Sequence, residues 1–127
     1  MEFEIVAAMV GDVPQPHISP GQGRAIYDHV RATRPERVLE LGTAHGVSAA
    51  YITAALESNA GGHVITVDSS RFRREAPAPE EVLAAAGLSG RVSFERSFST
   101  YTWFLKEQVQ QRPTLPAIAN RSATSAF

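Results

Sequence analysis

Apolar residues along this chain follow two periods, and the switching between them lays out the fold. Arg37-Val-Leu-Glu-Leu41 is a short apolar run closed by Gly42, the pattern of a strand buried in a parallel sheet. Val47, Ala50, Tyr51, Ala54 and Ala55 then recur at helical spacing, so one face of a helix follows, ended by Asn59-Ala-Gly-Gly62. Val64-Ile-Thr-Val67 is β-branched and apolar and predicts a second buried strand with Asp68 at its carboxyl end. Arg71 to Pro79 reads as a polar loop. Glu80 and Glu81 favour a helix N-terminus through its dipole, and Val82 to Ala86 continue that helix until Gly87 stops it. Val92-Ser-Phe94 predicts a third strand, and Ser97 or Ser99 caps a last helix carrying Tyr101, Phe104, Leu105 and Val109 to Pro113. Strand and helix alternate three times, which predicts an α/β layer structure with a parallel sheet and right-handed crossovers.

The flanks read differently. Ser19-Pro20-Gly21-Gln22 has the residues of a capping box, with Ser as N-cap, Pro at the first helical position and Gln three residues on. A helix should run from there to Thr33 with Ile26, Tyr27 and Val30 inward, and Pro35 closes it. Phe3, Ile5, Val6, Met9 and Val10 fit a short helix or a strand equally. From Thr114 to Phe127 there is neither period nor cap, so that tail is expected to be irregular, with at most a helical turn around Pro116–Asn120. The expected organisation is an N-terminal segment and capping helix at 1–35, a βαβαβα core at 36–112 and an irregular tail at 113–127.

Composition narrows the function classes. A chain of 127 residues makes one domain, and 43% hydrophobic with 20% charged residues is ordinary for a globular protein. With a formal net charge of −1, the whole molecule has no field to draw it to nucleic acid or anionic lipid. The absence of cysteine excludes disulfides, thiolate catalysis and cysteine-ligated metals. No apolar run approaches bilayer length, and two acids among the first four residues do not make a signal peptide, so the expected setting is cytoplasmic.

Chemistry concentrates at the turn after the first strand. There Gly42 permits the turn and Gly46 opens the helix, letting main-chain N–H groups and a helix N-terminus approach a ligand. Glu40 lies at the strand end, where a carboxylate can accept hydrogen bonds or face a cation. Asp68, ending the neighbouring strand, is placed to grip the two hydroxyls of a ribose. One alternative is a tight packing turn without a ligand. Another is an NAD(P)-binding Rossmann turn, but G-x-G-x-x-G from Gly42 requires glycines where Ala44 and Val47 stand. Arg71-Phe-Arg-Arg74 could meet an NADP phosphate, yet Asp68 would repel it, and a solvated loop is the simpler reading.

Glu40-Leu-Gly-Thr-Ala-His-Gly-Val-Ser48 resembles motif I of the class I S-adenosylmethionine-dependent methyltransferases, in the E-x-G-x-x-x-G-x-S form of O-methyltransferases similar to catechol O-methyltransferase. Upstream, Ile18-Ser-Pro-Gly-Gln-Gly23 is similar to the segment those enzymes place before the first core helix; downstream, Val64–Asp68 resembles their motif II. The resemblance covers residues 15 to 112. It implies a Rossmann-like three-layer sandwich with parallel strands, incomplete here because only the first three β/α units are present. It implies S-adenosylmethionine as cofactor, S-adenosylhomocysteine as product and a small-molecule methyl acceptor attacking in line. By the same resemblance, Glu40, Gly42, Thr43, Ala44, Gly46 and Ser48 would surround the methionine end of the cofactor; His45, in the turn itself, reads as lining the cofactor pocket or facing solvent in preference to acting as a catalytic base. Asp68 would hold the ribose with Ser69 near the adenine, Ser97 and Phe98 would line the adenine pocket, and His17 and Ile18 would close over the cofactor from the N-terminal segment.

Two departures stand out: Arg96 replaces the glycine that usually opens motif III, and residues 114–127 hold no Asp or Glu for the acidic end of a fourth strand. No catalytic residue or metal site is therefore assigned. His17, His29 and His63 are too scattered to form a metal set, and Trp103 with Phe98, Tyr101 and Phe104 reads as core. The second function class is a non-catalytic nucleoside-binding or oligomerising fragment. With only three strands, the 37–41 strand would expose an apolar edge, so a homodimer across that edge or by element swapping is expected.

Overall fold

The computed structural model describes residues 1–14, 17–69, 76–97, 105–106, 110 and 117–119. Its strands are β1 (Arg37–Leu41), β2 (His63–Ser69), β3 (Val92–Ser97) and β4 (Ala117–Ala119); its helices are α1 (Phe3–Val10), α2 (Pro20–Thr33), α3 (Val47–Ser58) and α4 (Pro79–Ala85). A 3₁₀ turn, Ser89–Arg91, leads into β3. The four strands form one sheet in the order β3-β2-β1-β4, every neighbouring pair parallel. This is the parallel α/β layer structure expected from the alternation of periods, in the Rossmann-like form that the resemblance implies.

Period-two alternation sorts the strand side chains between two faces. Val38 and Val64 join the larger core with Val6 and Val10 of α1, Tyr27 and Val30 of α2, most of α3, and Val82 and Leu83 of α4. Leu39, Leu41 and Val67 face the other way and pack with Ile65 and Leu105. The sheet is thus covered on both sides, as parallel sheets require. Packed on one face of the sheet beneath α1, α2 and α4, α3 is more enclosed than a one-faced helix: Val47 through Leu56 are all buried. Fully burying Ile52 and Leu56 stabilises by about 1.5–3 kcal/mol each.

Phe3–Val10, which spacing left open, is a helix. Val6 and Val10, one turn apart, pack into the main core. Phe3 stacks on Tyr51 at 5.6 Å and meets Tyr27 edge-on at 5.8 Å, while the Arg24 guanidinium lies 4.7 Å from the Phe3 ring centre. The capping box of α2 is formed: Gln22 N–H donates to Ser19 Oγ and Ser19 N–H to Gln22 Oε1. Tyr27 and Val30 are buried and Ile26 partly so; Gly23 is a further inward position, pressed against the Tyr51 ring.

Three expectations change. The third strand runs on past Phe94 to Ser97, and Ser99, the other expected cap, lies outside the described residues. The tail is not wholly irregular, and residues 117–119 form a strand where a helical turn was expected. That strand pairs Leu39, Glu40 and Leu41 with Ala117, Ile118 and Ala119. Both sides of β1 are therefore hydrogen-bonded, and the exposed edge on which the homodimer expectation rested is already covered. The physical cause is nonlocal: an open parallel edge supplies the pairing that Ala-Ile-Ala would never earn from propensity alone. The expected last helix falls largely outside the described residues, as do the Arg71–Arg74 loop, Phe98, Tyr101, Trp103 and Phe104.

Candidate functional site

The turn between β1 and α3 is built on three residues of positive φ in alternation: Gly42 at 96°, Ala44 at 47° and Gly46 at 84°. Gly42 N–H donates to Val67 O across the strand ends (2.8 Å), and Gly46 N–H donates back to Thr43 O (2.9 Å). Gly46 is required twice over. Its φ disfavours any side chain, and a Cβ there would lie 2.9 Å from Leu83 Cδ2 and 3.0 Å from Pro79 Cβ. So α4 packs directly on the N-cap of α3.

Two carboxylates anchor this turn in different ways. Asp68 is buried at the end of β2; its Oδ2 accepts the Ala44 N–H at 3.0 Å and its Oδ1 the Ser69 N–H at 2.9 Å. It therefore links the two strand ends and sits within the turn, as its position in sequence implies. Glu40 is fully buried on the face of β1 that meets α3, where Ser48 Oγ donates to Oε2 and Thr66 Oγ1 donates to Oε1 at 2.7 Å. Thr43 Oγ1 lies 2.7 Å from Thr66 Oγ1. Buried carboxylates persist only where donors meet their oxygens, and this one draws them from β2 and α3. With Ser48 and Thr66 as donors, Glu40 braces the turn from the α3 side of the sheet.

The remaining members of the turn are more open. Ala44 and His45 are half-buried. The His45 ring bonds Pro77 O through Nδ1 at 2.8 Å, and since a carbonyl only accepts, that nitrogen carries the proton. The bond ties the residues before α4 to the turn. Among the described residues, none accepts the main-chain N–H of Thr43 or His45, two donors beside the N-terminus of α3. His17 is held by Ile18 O at Nδ1 (2.9 Å) and Val13 O at Nε2 (3.0 Å). A neutral imidazole can serve only one of those acceptors at a time. Ile18 is buried in the main core.

Ser69 and Ser97 are register partners at the ends of β2 and β3, and Arg96 faces Asp68 across the same ladder. The Arg96 guanidinium reaches Glu80 of α4 at 3.7 Å, an exposed pair worth at most about 1 kcal/mol. Thus the structure gathers Glu40, Gly42, Thr43, Ala44, His45, Gly46, Ser48, Asp68 and Ser69 at one end of the sheet. Phe98 lies outside the described residues. His63 is at the opposite end of β2 with Ser93, 2.7 Å away, and no three described His, Asp or Glu residues cluster as a metal set. No described helix is long and apolar enough to cross a membrane.

Two contributors were missed: Thr66 and Pro77. A threonine inside an otherwise apolar buried strand was a readable signal for Thr66. A carbonyl acceptor such as Pro77 O has none.

Comparison with known proteins agrees with this geometry. A family model described as a methyltransferase domain matches residues 39–119. The O-methyltransferase TomG of Streptomyces achromogenes, solved in complex with SAM, superposes with a TM-score of 0.66 at 23% identity, over 93% of this chain and 52% of that one. An O-methyltransferase from Bacillus cereus, solved with SAH, gives 0.62 at 24% identity over 86% and 47%. The SAH-bound methyltransferase PaMTH1 of Podospora anserina gives 0.60 at 21% over 82% and 43%. The chain thus spans about half the length of these structures. No curated protein matches.

Proposed function

We propose that this chain, which belongs to the methyltransferase-domain family, binds S-adenosylmethionine at the β1–α3 turn and serves methyl transfer to the oxygen of a small molecule. The observation that carries the reading is the Asp68 carboxylate, buried at the end of β2 and bonded to Ala44 N–H inside a glycine turn that opens a helix. An adenosine cofactor with a charged amino-acid tail needs an acidic residue for its ribose and main-chain donors for its carboxylate. Asp68 and the Thr43 and His45 N–H groups have that chemistry, so the residues present fit the group.

When bound, S-adenosylmethionine supplies an electrophilic methyl on its sulfonium. The chain's own contribution is orientation: Asp68 at one strand end and the turn at the next fix where the nucleoside and its tail would lie. Ser69, Ser97 and Phe98 are proposed on the adenine side, with His17 and Ile18 closing over the cofactor from the N-terminal segment. A near-neutral net charge favours a small-molecule acceptor over nucleic acid, in a cytoplasmic setting. An NAD(P) reading is disfavoured because Ala44 and Val47 stand where its glycines belong.

Titration calorimetry with S-adenosylhomocysteine tests the reading. Micromolar binding that falls at least about tenfold in Asp68→Ala is expected, from loss of hydrogen bonds to a charged group. Tight NADP binding with no response to S-adenosylhomocysteine would overturn it. Methyl transfer is then measured separately with catechol and hydroxycinnamate acceptors, because binding does not establish catalysis.

A further inference from the structure

Guanidinium charge is neutralised locally in one part of this molecule and left open in another. Arg24 of α2 pairs with Glu4 and Asp28, and Arg96 of β3 pairs with Glu80. The other described arginines, Arg31, Arg34, Arg37 and Arg91, form no ion pair with a carboxylate among the described residues. All of them surround one segment, residues 59–63, which leads from α3 into β2. Arg31 Nη1 donates to Asn59 Oδ1 at 2.8 Å and Arg34 Nη2 to Asn59 O at 2.9 Å. Arg91 Nη1 donates to Gly62 O at 3.3 Å, and Arg37 is the register partner of His63 across the β1–β2 ladder. The segment reads Asn-Ala-Gly-Gly-His and holds no acid. Glu57 and Glu36, the nearest acids in sequence, lie beyond ion-pair distance of all these guanidiniums. Positive charge thus collects at the amino ends of the strands, one strand length, about 15 Å, from the β1–α3 turn.

We propose that this end of the sheet is a docking surface for an acidic segment of a partner protein. The bonds to Asn59 and Gly62 use one N–H each of Arg31, Arg34 and Arg91, and a guanidinium has five, so most donors remain for carboxylates. Those same bonds hold the three side chains in place, so little rotamer freedom is lost when a partner arrives. Planar guanidiniums also match carboxylates in bidentate pairs. Nucleic acid is the poorer fit, because none of the described aromatic residues is exposed for a base to stack on. A membrane surface fits no better: the exposed large apolar side chains, Ile5 and Met9, belong to α1 and not to this segment.

The test is fluorescence anisotropy on the full chain with a fluorescein-labelled oligoglutamate peptide, at low and at physiological salt. The wild type should bind at low salt and weaken as salt screens the charges. The Arg37 side chain makes no hydrogen bond to a described residue, so Arg37→Gln removes a charge without breaking a contact. It should lose about twofold to fivefold in affinity, the range for an exposed ion pair. Arg34→Gln combined with Arg37→Gln should lose about tenfold. Arg24→Gln changes the net charge equally, but Arg24 is already paired with Glu4 and Asp28, and binding should stay at the wild-type level. The proposal is overturned if the wild type does not bind the peptide, or if Arg24→Gln weakens it as much as Arg37→Gln does. It is overturned equally if a single-stranded oligothymidylate or phosphatidylserine vesicles bind at least as tightly through the same arginines. S-adenosylhomocysteine takes no part in these measurements, so they stand or fall separately from the cofactor reading.

Discussion

Replacing Gly23 by alanine should destabilise the protein even though alanine is the better helix former. A methyl at Gly23 would sit 2.4 Å from Tyr51 Cε2, 2.6 Å from Cζ and 2.7 Å from Cδ2. Carbon atoms pack at about 3.5–4.0 Å, so roughly 1 Å of separation must be found between α2 and α3. The ring has little room to yield, being 2% exposed and stacked on Phe3. Overpacking of this kind costs about 1–3 kcal/mol. The helix-propensity gain of alanine over glycine, about 1 kcal/mol, opposes it. The net expectation is a loss of up to about 2 kcal/mol for Gly23→Ala. Gly21 lies in the same helix and would meet only Ser19 Oγ, at 3.9 Å. Gly21→Ala should therefore be neutral or stabilising by up to about 1 kcal/mol. Urea unfolding followed by circular dichroism, with unchanged m, measures both. Tyr51→Leu should cost less in the Gly23→Ala background than in the wild type, because it removes the clashing ring. The reasoning fails if Gly23→Ala is as stable as Gly21→Ala, or if the two sites show no coupling.

Ser48→Ala leaves Glu40 Oε2 without the hydroxyl that meets it, and should cost about 1–3 kcal/mol in urea unfolding. His45→Asn keeps an N–H able to reach Pro77 O, whereas His45→Leu loses about 1 kcal/mol and speeds hydrogen exchange at the Glu81 and Val82 amides, which both donate to Ala78 O. Burial raises the Tyr51 phenol above its ordinary value, so the folded chain holds that proton longer than the unfolded one. Its contribution is complete below pH about 10 and declines as pH rises through the folded value; unfolding free energies from pH 9 to 11 should fall less steeply in Tyr51→Phe.

What was legible in the sequence follows from where the information resides. The turn announced itself because Gly42, Gly46 and Asp68 are forced by backbone geometry and strand ends, which are local. Glu40 was located at the strand end, but its bonds to Ser48 and Thr66 were not anticipated. The same period of two that puts Val38 and Val64 on the α3 side puts Glu40 and Thr66 there as well, and that alternation was readable beforehand. The strand at 117–119 was not readable, because Ala-Ile-Ala carries no period and is made a strand by the vacant side of β1. Likewise α1 could not be told from a strand until α3 supplied the surface on which Val6 and Val10 close.

The packing of Pro79 and Leu83 against Gly46 has a consequence for how a ligand would be captured. The bend of the turn is imposed from outside by α4, together with the bonds from Gly42 to Val67 and from Ala44 to Asp68. A ligand arriving there meets a surface already in shape, so association does not have to wait for the chain to reorganise and little binding energy is consumed in ordering it. Discrimination would then be expressed mainly in how long the ligand stays, and changes at Pro79 or Leu83, remote from any ligand atom, would be felt first as slower capture.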